Sequence, residues 1–363
     1  MRSFTYNALA GRVVFGAGTS REQLAGEVDR LGVRRVLLVA TGHERELAEE
    51  LARPLGERVS DIFTDVKPHV PVGVAETARK AAREEGADGL LSIGGGSTTG
   101  TAKAVALETG LPVVAVPTTY AGSEMTPIWG MTDNGRKTTG NSPAVLPKVV
   151  IYDPELTFSL PDFITGPSAM NAMAHCVEAF YAAGANPITS LMAEEGIRAL
   201  ASGTPVAVKH PEDLEGRSQT LYGAYLAGAA LAATSAGLHH KICHVLGGAY
   251  DLPHAQMHTI VLPHAVAFNE PAMPEIAARI AGALGTEGTG AAPGLYGLIE
   301  KIGARTALKD IGMREEYIDE VIPQILEAAP ENNPRPVDEA GVRNILEDAY
   351  AGHRPELATE RSA

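Results

Sequence analysis

The chain is poor in cysteine: Cys176 and Cys243 are the only two in 363 residues, and they form no CxxC spacing. That excludes a disulfide framework and a CxxC metal or redox motif, and it fits a reducing, cytoplasmic compartment. Long apolar runs are missing too, since none approaches the roughly 18–20 residues of a membrane span. The first fifteen residues lack the basic-then-apolar build of a signal peptide, so export is not expected. Basic residues are outnumbered, with 30 Lys and Arg against 44 Asp and Glu and a formal net charge of -14. Such a balance disfavours a duplex nucleic acid or an anionic membrane as partner. It does not disfavour a small anion, because a few local groups can oppose the global sign. Neither a fixed-period repeat nor a low-complexity tract occurs.

What is present is globular in character: 45% apolar and 20% charged residues over a length that implies about two domains. Up to about residue 120, short β-branched runs alternate with amphipathic stretches. Val36–Val39, Val59–Phe63, Gly89–Ile93 and Val113–Val116 read as buried parallel strands, with helices near 47–52, 74–85 and 98–107 between them. Ser20, Arg21, Glu22 and Gln23 have the spacing of a capping box for a first helix, and Gly86 stands where a later helix should stop. From about residue 160 strand signals nearly vanish, and helical periodicity takes over in 169–182, 188–201, 218–233 and 276–284. The fold class expected is therefore two-domain: an N-terminal α/β Rossmann-like dinucleotide-binding domain over 1–157 and a C-terminal all-helical domain over 158–363.

Three segments carry chemistry. Gly94, Gly95, Gly96 and Ser97 follow a strand and open a helix, which is the outline of a phosphate cradle: backbone approaches the anion, and free N–H groups at the helix start supply donors. It is neither a Walker loop nor the GxGxxG fingerprint. A second loop, Pro117 to Glu124, follows the next strand at the same carboxyl end, with hydroxyls on Thr118, Thr119 and Ser123 able to meet phosphate or ribose. The third segment is richest. Of 11 histidines, His239, His240, His244, His254, His258 and His264 fall within 26 residues. His240 and His244 share a helix face, and upstream Asn171 and His175 are also four apart. Paired groups on facing helices are how a bundle builds a metal site or a polar catalytic pocket.

Taken together, Gly94–Ser97 with Ala102 and Lys103, Pro117–Thr119, Gly122–Glu124, Leu146–Lys148 with Asp153–Glu155, and the two histidine segments resemble the iron-containing (group III) alcohol dehydrogenase superfamily, whose fold is dehydroquinate synthase-like. Within it, 120–128, 166–176 and 237–248 resemble the maleylacetate reductase branch. The resemblance implies a metal-ligand set of one aspartate and three histidines, which falls here on Asn171, His175, His240 and His254. A neutral amide replaces the aspartate and Lys241 follows the third position, so no catalytic Fe or Zn is expected. It also implies a cofactor site at Gly94, Gly95, Gly96, Ser97, Thr118, Thr119, Ser123 and Lys148. Family members commonly carry an acid three residues past the serine, where Gly100 stands here. An acid often follows the second strand as well, where this sequence reads Ala40, Thr41, Gly42. Without that carboxylate nothing opposes a 2′-phosphate, so NADH with NADPH tolerated is expected.

The reaction implied by this branch is reduction of the C=C bond of maleylacetate, a dicarboxylate enone, to 3-oxoadipate in aromatic-compound degradation. Lys241, His240 and His244 are assigned to the enolate, and one of His175, His244 or His254 to the proton. Arg136 and Lys137 are further candidates for the substrate carboxylates. A homodimer is implied by the resemblance. The competing readings are a metal-dependent alcohol dehydrogenase in which Asn171 ligates through its carbonyl oxygen, a dehydroquinate synthase-like lyase, and a dinucleotide-binding protein without activity.

Overall fold

A computed structural model describes residues 3–9, 11–133 and 136–356, with Arg136 and Lys137 described by backbone alone. Two compact units result, one spanning Leu9–Leu160 and the other comprising residues 3–8 and 161–356. No helix among the described residues is long and apolar enough to cross a membrane.

The first unit is built on strands β1 (Arg12–Phe15), β2 (Val36–Val39), β3 (Val59–Phe63), β4 (Gly89–Gly94), β5 (Val113–Pro117), β6 (Ile128–Asp133), β7 (Arg136–Asn141) and β8 (Val149–Tyr152). Helices α1 (Thr19–Arg30), α2 (Arg45–Ala52), α3 (Val72–Glu84) and α4 (Gly96–Thr109) connect them. Six strands pair in parallel in the order β1-β8-β5-β4-β2-β3, while β6 and β7 form a separate antiparallel pair. Alternation along each strand divides its side chains between two cores. Leu38, Leu91, Ile93, Val114 and Ile151 pack with Leu24, Val28 and Leu51 of α1 and α2. Leu37, Val39, Leu90 and Val113 pack with Val74, Ala78, Ala102 and Val105 of α3 and α4 on the other face. Strands buried on both faces must read as continuous apolar runs, and these do.

Strand order sets where a ligand can bind. The chain steps outward from β2 to β3, returns to β4, and then steps the opposite way to β5, so the topological switch lies between β2 and β4. A crevice opens at the carboxyl ends of those two strands.

Two expectations from the sequence are corrected. Strand β1 and the β6–β7 pair were absent from the expected elements, because four residues of alternating exposure and a polar hairpin carry little apolar signal. The capping box at Ser20 does not form: α1 begins after Gly18 with no side-chain cap of its own. Its first amides are served instead by Asp153, beyond the end of β8. That fully buried carboxylate accepts from Gly18 N–H (3.1 Å), Ser20 N–H (3.1 Å), Ser20 Oγ–H (2.5 Å) and Glu155 N–H (3.1 Å). Gly86 does terminate α3, in the left-handed region at φ 59°.

The second unit is helical: α5 (Asp162–Ala179), α6 (Pro187–Lys209), α7 (Leu214–Ala232), α8 (Leu238–Tyr250), α9 (His254–Asn269), α10 (Pro274–Leu284), α11 (Ala291–Lys301), α12 (Tyr317–Ala328) and α13 (Glu339–Ala351). Its apolar core joins α8, α9, α12 and α13 through Leu238, Ile242, Leu246, Ile260, Val321, Ile325 and Leu346. Helix α5 packs against α6, α7 and α9 and is buried along nearly its whole length. A polar stripe on such a helix therefore faces protein rather than water.

Asp153→Ala is expected to destabilise the α/β unit by about 2–4 kcal/mol, because it strands buried donors at the start of α1. Urea denaturation followed by circular dichroism checks it, and Asp153→Asn, which keeps acceptor capacity, should lose less.

Candidate active site

In the α/β unit the two loops expected to hold a dinucleotide are brought together. Gly94 ends β4 at φ 150°, and α4 begins at Gly96 with Gly95 as an N-cap that makes no side-chain bond. The first amides of α4 thus keep their donors for a ligand. The backbone N–H of Thr118 donates to the carbonyl of Gly94 (3.2 Å), laying the second loop along the first. A Cβ placed on Gly94 would come within 2.5 Å of Thr98 Oγ1, and one on Gly95 within 3.0 Å of Thr119 Cγ2. Glycine at these positions is what keeps the cradle open. Gly100, where the family resemblance implies an acid, faces Val70, whose Cγ2 would stand 2.9 Å from an added Cβ.

Lys103 pins the far side of this loop. Wholly buried on α4, its Nζ donates to the carbonyl oxygens of Ser123 (2.5 Å) and Ile128 (2.9 Å) and to Thr126 Oγ1 (3.0 Å). Burial pushes Lys103 down to about 7, against the opposing pull of Glu124. Glu124, itself raised by burial, accepts from Tyr152 Oη–H at 2.7 Å. Ser123 is thus anchored by Lys103 through its carbonyl and, at 3.3 Å, through its hydroxyl oxygen. Lys148 is displaced from its expected role. It is exposed and precedes the first residue of β8, at the amino edge of the sheet, whereas Gly94–Ser97 stand at the carboxyl edge. The structure does not gather it with the glycine loop.

The stretch after β2 proved not to be free of acid. Glu44, just beyond Ala40, Thr41 and Gly42, turns its carboxylate to the crevice, accepting from Thr41 Oγ1–H (2.8 Å) and Thr118 Oγ1–H (2.7 Å). Its Oε2 lies 2.6 Å from where a Cβ of Gly94 would be. Sequence position alone hid this residue, because the chain turns once between the strand end and the helix start.

In the helical unit His239, His240, His244, His254 and His258 come together with His175, and an acid that sequence reasoning missed joins them. Asn171, His175 and Glu178 are four and three residues apart on α5, one stripe on a buried helix. Glu178, 1% exposed, accepts from Gly237 N–H (2.7 Å), His240 N–H (3.3 Å) and the His240 ring Nδ1–H (2.5 Å). Two backbone donors define the carboxylate as acceptor, so Nδ1 carries the proton and Nε2 of His240 is left to face the site. A Cβ on Gly237 would stand 2.7 Å from Glu178 Oε1, which explains glycine at the start of α8.

Around His240 the rings of His175 (5.0 Å between centroids), His258 (5.0 Å), His239 (5.2 Å) and His244 (6.0 Å) close in, and His254 packs on His258 (4.3 Å). His239 Nε2 and His258 Nδ1 share a hydrogen bond of 3.0 Å, with both rings fully buried. The cluster is thus layered. His175, His239, His240 and His258 are interior, while His244 and His254 are exposed and Lys241 is half-buried. His264 lies in a different place, lining a cavity of about 260 Å³ with Arg335, Asn344 and Asp348. Arg136 and Lys137, expected as carboxylate partners, have side chains outside the described residues.

Asn171 Oδ1, His175 Nδ1 and His240 Nε2 are buried without a hydrogen-bond partner, which suits a bound group. The donors themselves are an amide and imidazoles, with no anionic ligand among Asn171, His175, His240 and His254. That set does not match the carboxylate-containing set of an iron site.

Comparison with known proteins places the chain among relatives along its whole length. A family model described as iron-containing alcohol dehydrogenase matches residues 10–154, and the C-terminal model of the Fe-containing alcohol dehydrogenase family matches 165–350. A maleylacetate reductase of Burkholderia cepacia is 48% identical over 355 residues, covering 98% of this chain and all of that protein. The crystal structure of a maleylacetate reductase from Agrobacterium tumefaciens superposes with a TM-score of 0.93 at 44% identity, covering 98% of this chain and all of that one. A crystal structure described as a putative alcohol dehydrogenase from Ralstonia eutropha gives 0.96 at 52%, again covering 98% and 100%.

Burial holds His175, His239 and His258 well below their ordinary value of 6.5, and repulsion by neighbouring imidazoles adds to it. The unfolded chain therefore binds protons below pH 6.5 that the folded chain does not, so stability falls as pH falls through 6.5. From these three groups the slope should approach about three protons. Urea midpoints at pH 7.5, 6.5 and 5.5 check this, and His239→Gln with His258→Gln should flatten the fall.

Proposed function

For a chain that belongs to the iron-containing alcohol dehydrogenase family, we propose the NAD(P)H-dependent reduction of maleylacetate to 3-oxoadipate, carried out in the cytoplasm by a homodimer. The observation that carries this reading is similarity at 44–48% identity, over 98% of the chain, to proteins described as maleylacetate reductases. The glycine cradle fits the cofactor's pyrophosphate: Gly94–Ser97 with Thr118 and Thr119 offer backbone donors at the start of α4 and room that any side chain would close. When bound there, NAD(P)H supplies a hydride to the alkene carbon β to the ketone.

The chain's own residues then have three tasks. Negative charge builds on the ketone oxygen as the enolate forms, and a preorganised cation or N–H is required there. Lys241 and the His240–His244 face of α8 are assigned to it. The α carbon takes a proton. His175 is interior and held neutral by burial, which leaves the exposed His244 and His254 for that relay. Glu178 completes the arrangement by fixing the tautomer and orientation of His240, as a carboxylate does for a catalytic imidazole elsewhere. A conjugated ketone polarised this way reacts without a Lewis acid, in keeping with Asn171.

A second reading, a metal-dependent alcohol dehydrogenase reducing a carbonyl, is favoured by the partnerless Oδ1 of Asn171 beside His175 and His240. One experiment separates the two. Protein dialysed against a chelator and assayed for metal should still oxidise NADH or NADPH with maleylacetate at its full rate. Loss of rate restored by Fe²⁺ or Zn²⁺ would establish the metal-dependent reading, and absence of oxidation with either cofactor would remove the proposal.

Two substitutions test the roles. Lys241→Ala is expected to lower kcat by about 10²–10³ through loss of enolate stabilisation. Glu178→Gln, which frees His240 to take the wrong tautomer, should lower kcat by about 10²–10⁴ with KM little changed.

A further inference from the structure

His239 and His258 are fully buried and take no part in the three tasks of the reaction. One comes from the first turn of α8 and the other from α9, one turn after His254, and they meet through His239 Nε2 and His258 Nδ1 at 3.0 Å. Burial holds both rings neutral, so each carries a single N–H. One of those hydrogens occupies the bond between them. The other stands on a nitrogen with no hydrogen-bond partner in the protein, either Nδ1 of His239 or Nε2 of His258.

The surroundings decide between the two. With its proton fixed on Nδ1 by Glu178, a neutral His240 presents a lone pair at Nε2 and has no hydrogen to give an enolate. Asn171 Oδ1, also partnerless, is an acceptor as well. The His258 ring lies 5.0 Å from that of His240, and one nitrogen of His258 stands within 4.8 Å of one of His240. A hydrogen on Nδ1 of His258 would turn its Nε2 into a third lone pair and leave the unmet N–H on His239, sealed in the interior. A hydrogen on Nε2 of His258 instead sets an N–H among acceptors and orphans only a lone pair on His239. An unmet acceptor is better tolerated in a protein interior than an unmet N–H.

We infer that Nε2–H of His258 donates a hydrogen bond to the enolate oxygen, in a tautomer that His239 holds. This role rests on the maleylacetate-reducing reading above. As hydride forms the new C–H bond at the β carbon, the C=C electron pair passes to the ketone oxygen. His258 gives that oxygen a hydrogen bond and keeps its own proton, while the outer histidines protonate the α carbon. A donor locked by a buried partner needs no reorientation as the charge develops. His239 is accordingly a positioning residue, and Lys241 supplies the positive charge.

Ring nitrogen-15 NMR of histidine-labelled protein reads the tautomer with no substrate present, His258 being assigned by its loss in a His258 variant. Protonated Nε2 and bare Nδ1 are expected for His258, and the reverse would overturn the inference. In His239→Leu the His258 ring should become a mixture of tautomers; an unchanged ring there would overturn the positioning role of His239. Steady-state kinetics with maleylacetate test the donor itself. His258→Phe fills the space without an N–H and is expected to lower kcat by about 10²–10³ with KM little changed. His258→Gln, whose amide can donate, should recover about tenfold or more of that loss. Circular dichroism melts identify which variants keep the wild-type fold. Turnover within about threefold of wild type in a folded His258→Phe protein, or a stoichiometric metal held by the wild type and lost in that variant, would overturn the role of His258 while leaving reduction of maleylacetate standing. No turnover by the wild type with either cofactor would overturn both.

Discussion

The buried carboxylate of Glu178 organises the helical unit's chemistry. It reaches from α5 to the first turn of α8 and accepts two backbone amides and one ring N–H there. An acid placed at a helix N-terminus is stabilised by the amides that point at it. Here that same anchorage decides which nitrogen of His240 faces the site. Gly237 is required because any side chain would strike the carboxylate. The rings of His175, His239, His244 and His258 pack on His240, and that of His254 on His258, so the ring this contact fixes is the centre of the cluster. Remove the acid and α8 loses the cap, the tautomer and the register of its histidines together.

The α/β unit solves a different problem, which is to keep donors unused. Amides at the start of α4 must remain free for an anion while the loops around them stay rigid. Rigidity comes from behind the cradle: Lys103 ties Ser123, Thr126 and Ile128 together, and Glu124 is held by Tyr152. A buried ammonium is costly to desolvate, and burial accordingly pushes Lys103 down to about 7. Its return is a loop that needs no reordering when a ligand arrives.

Much of this was legible in the sequence, for physical reasons that also explain what was not. Doubly buried strands such as Leu90–Ile93 declare themselves as apolar runs, and the glycine loop and paired histidines have spacings tied to their geometry. Glu178 was visible only as a third member of the Asn171–His175 stripe, and an acid on a helix is ordinarily read as solvated. Its partner, the amide of Gly237, is 59 residues away. Asp153 replaced the expected capping box because the competing acceptor came from across the sheet. Glu44 went unread for the same reason: local spacing says which side chains are near, and only the closed loops say which way they turn.

The net charge of -14 and the uncharged interior of the histidine cluster lead to one further step. If His175, His239 and His258 are neutral by burial, they hold no charge with which to attract a doubly anionic substrate. Attraction then falls to the cluster's outer layer, Lys241 with the exposed His244 and His254, while the inner layer serves by shape and hydrogen bonding. An aspartate at position 171 would place a carboxylate beside those neutral rings, favouring a metal cation and opposing an enolate. The amide of Asn171 reverses that preference without altering the size of the site. On the proposed reading, that replacement leaves the site to stabilise an anion through nitrogen donors.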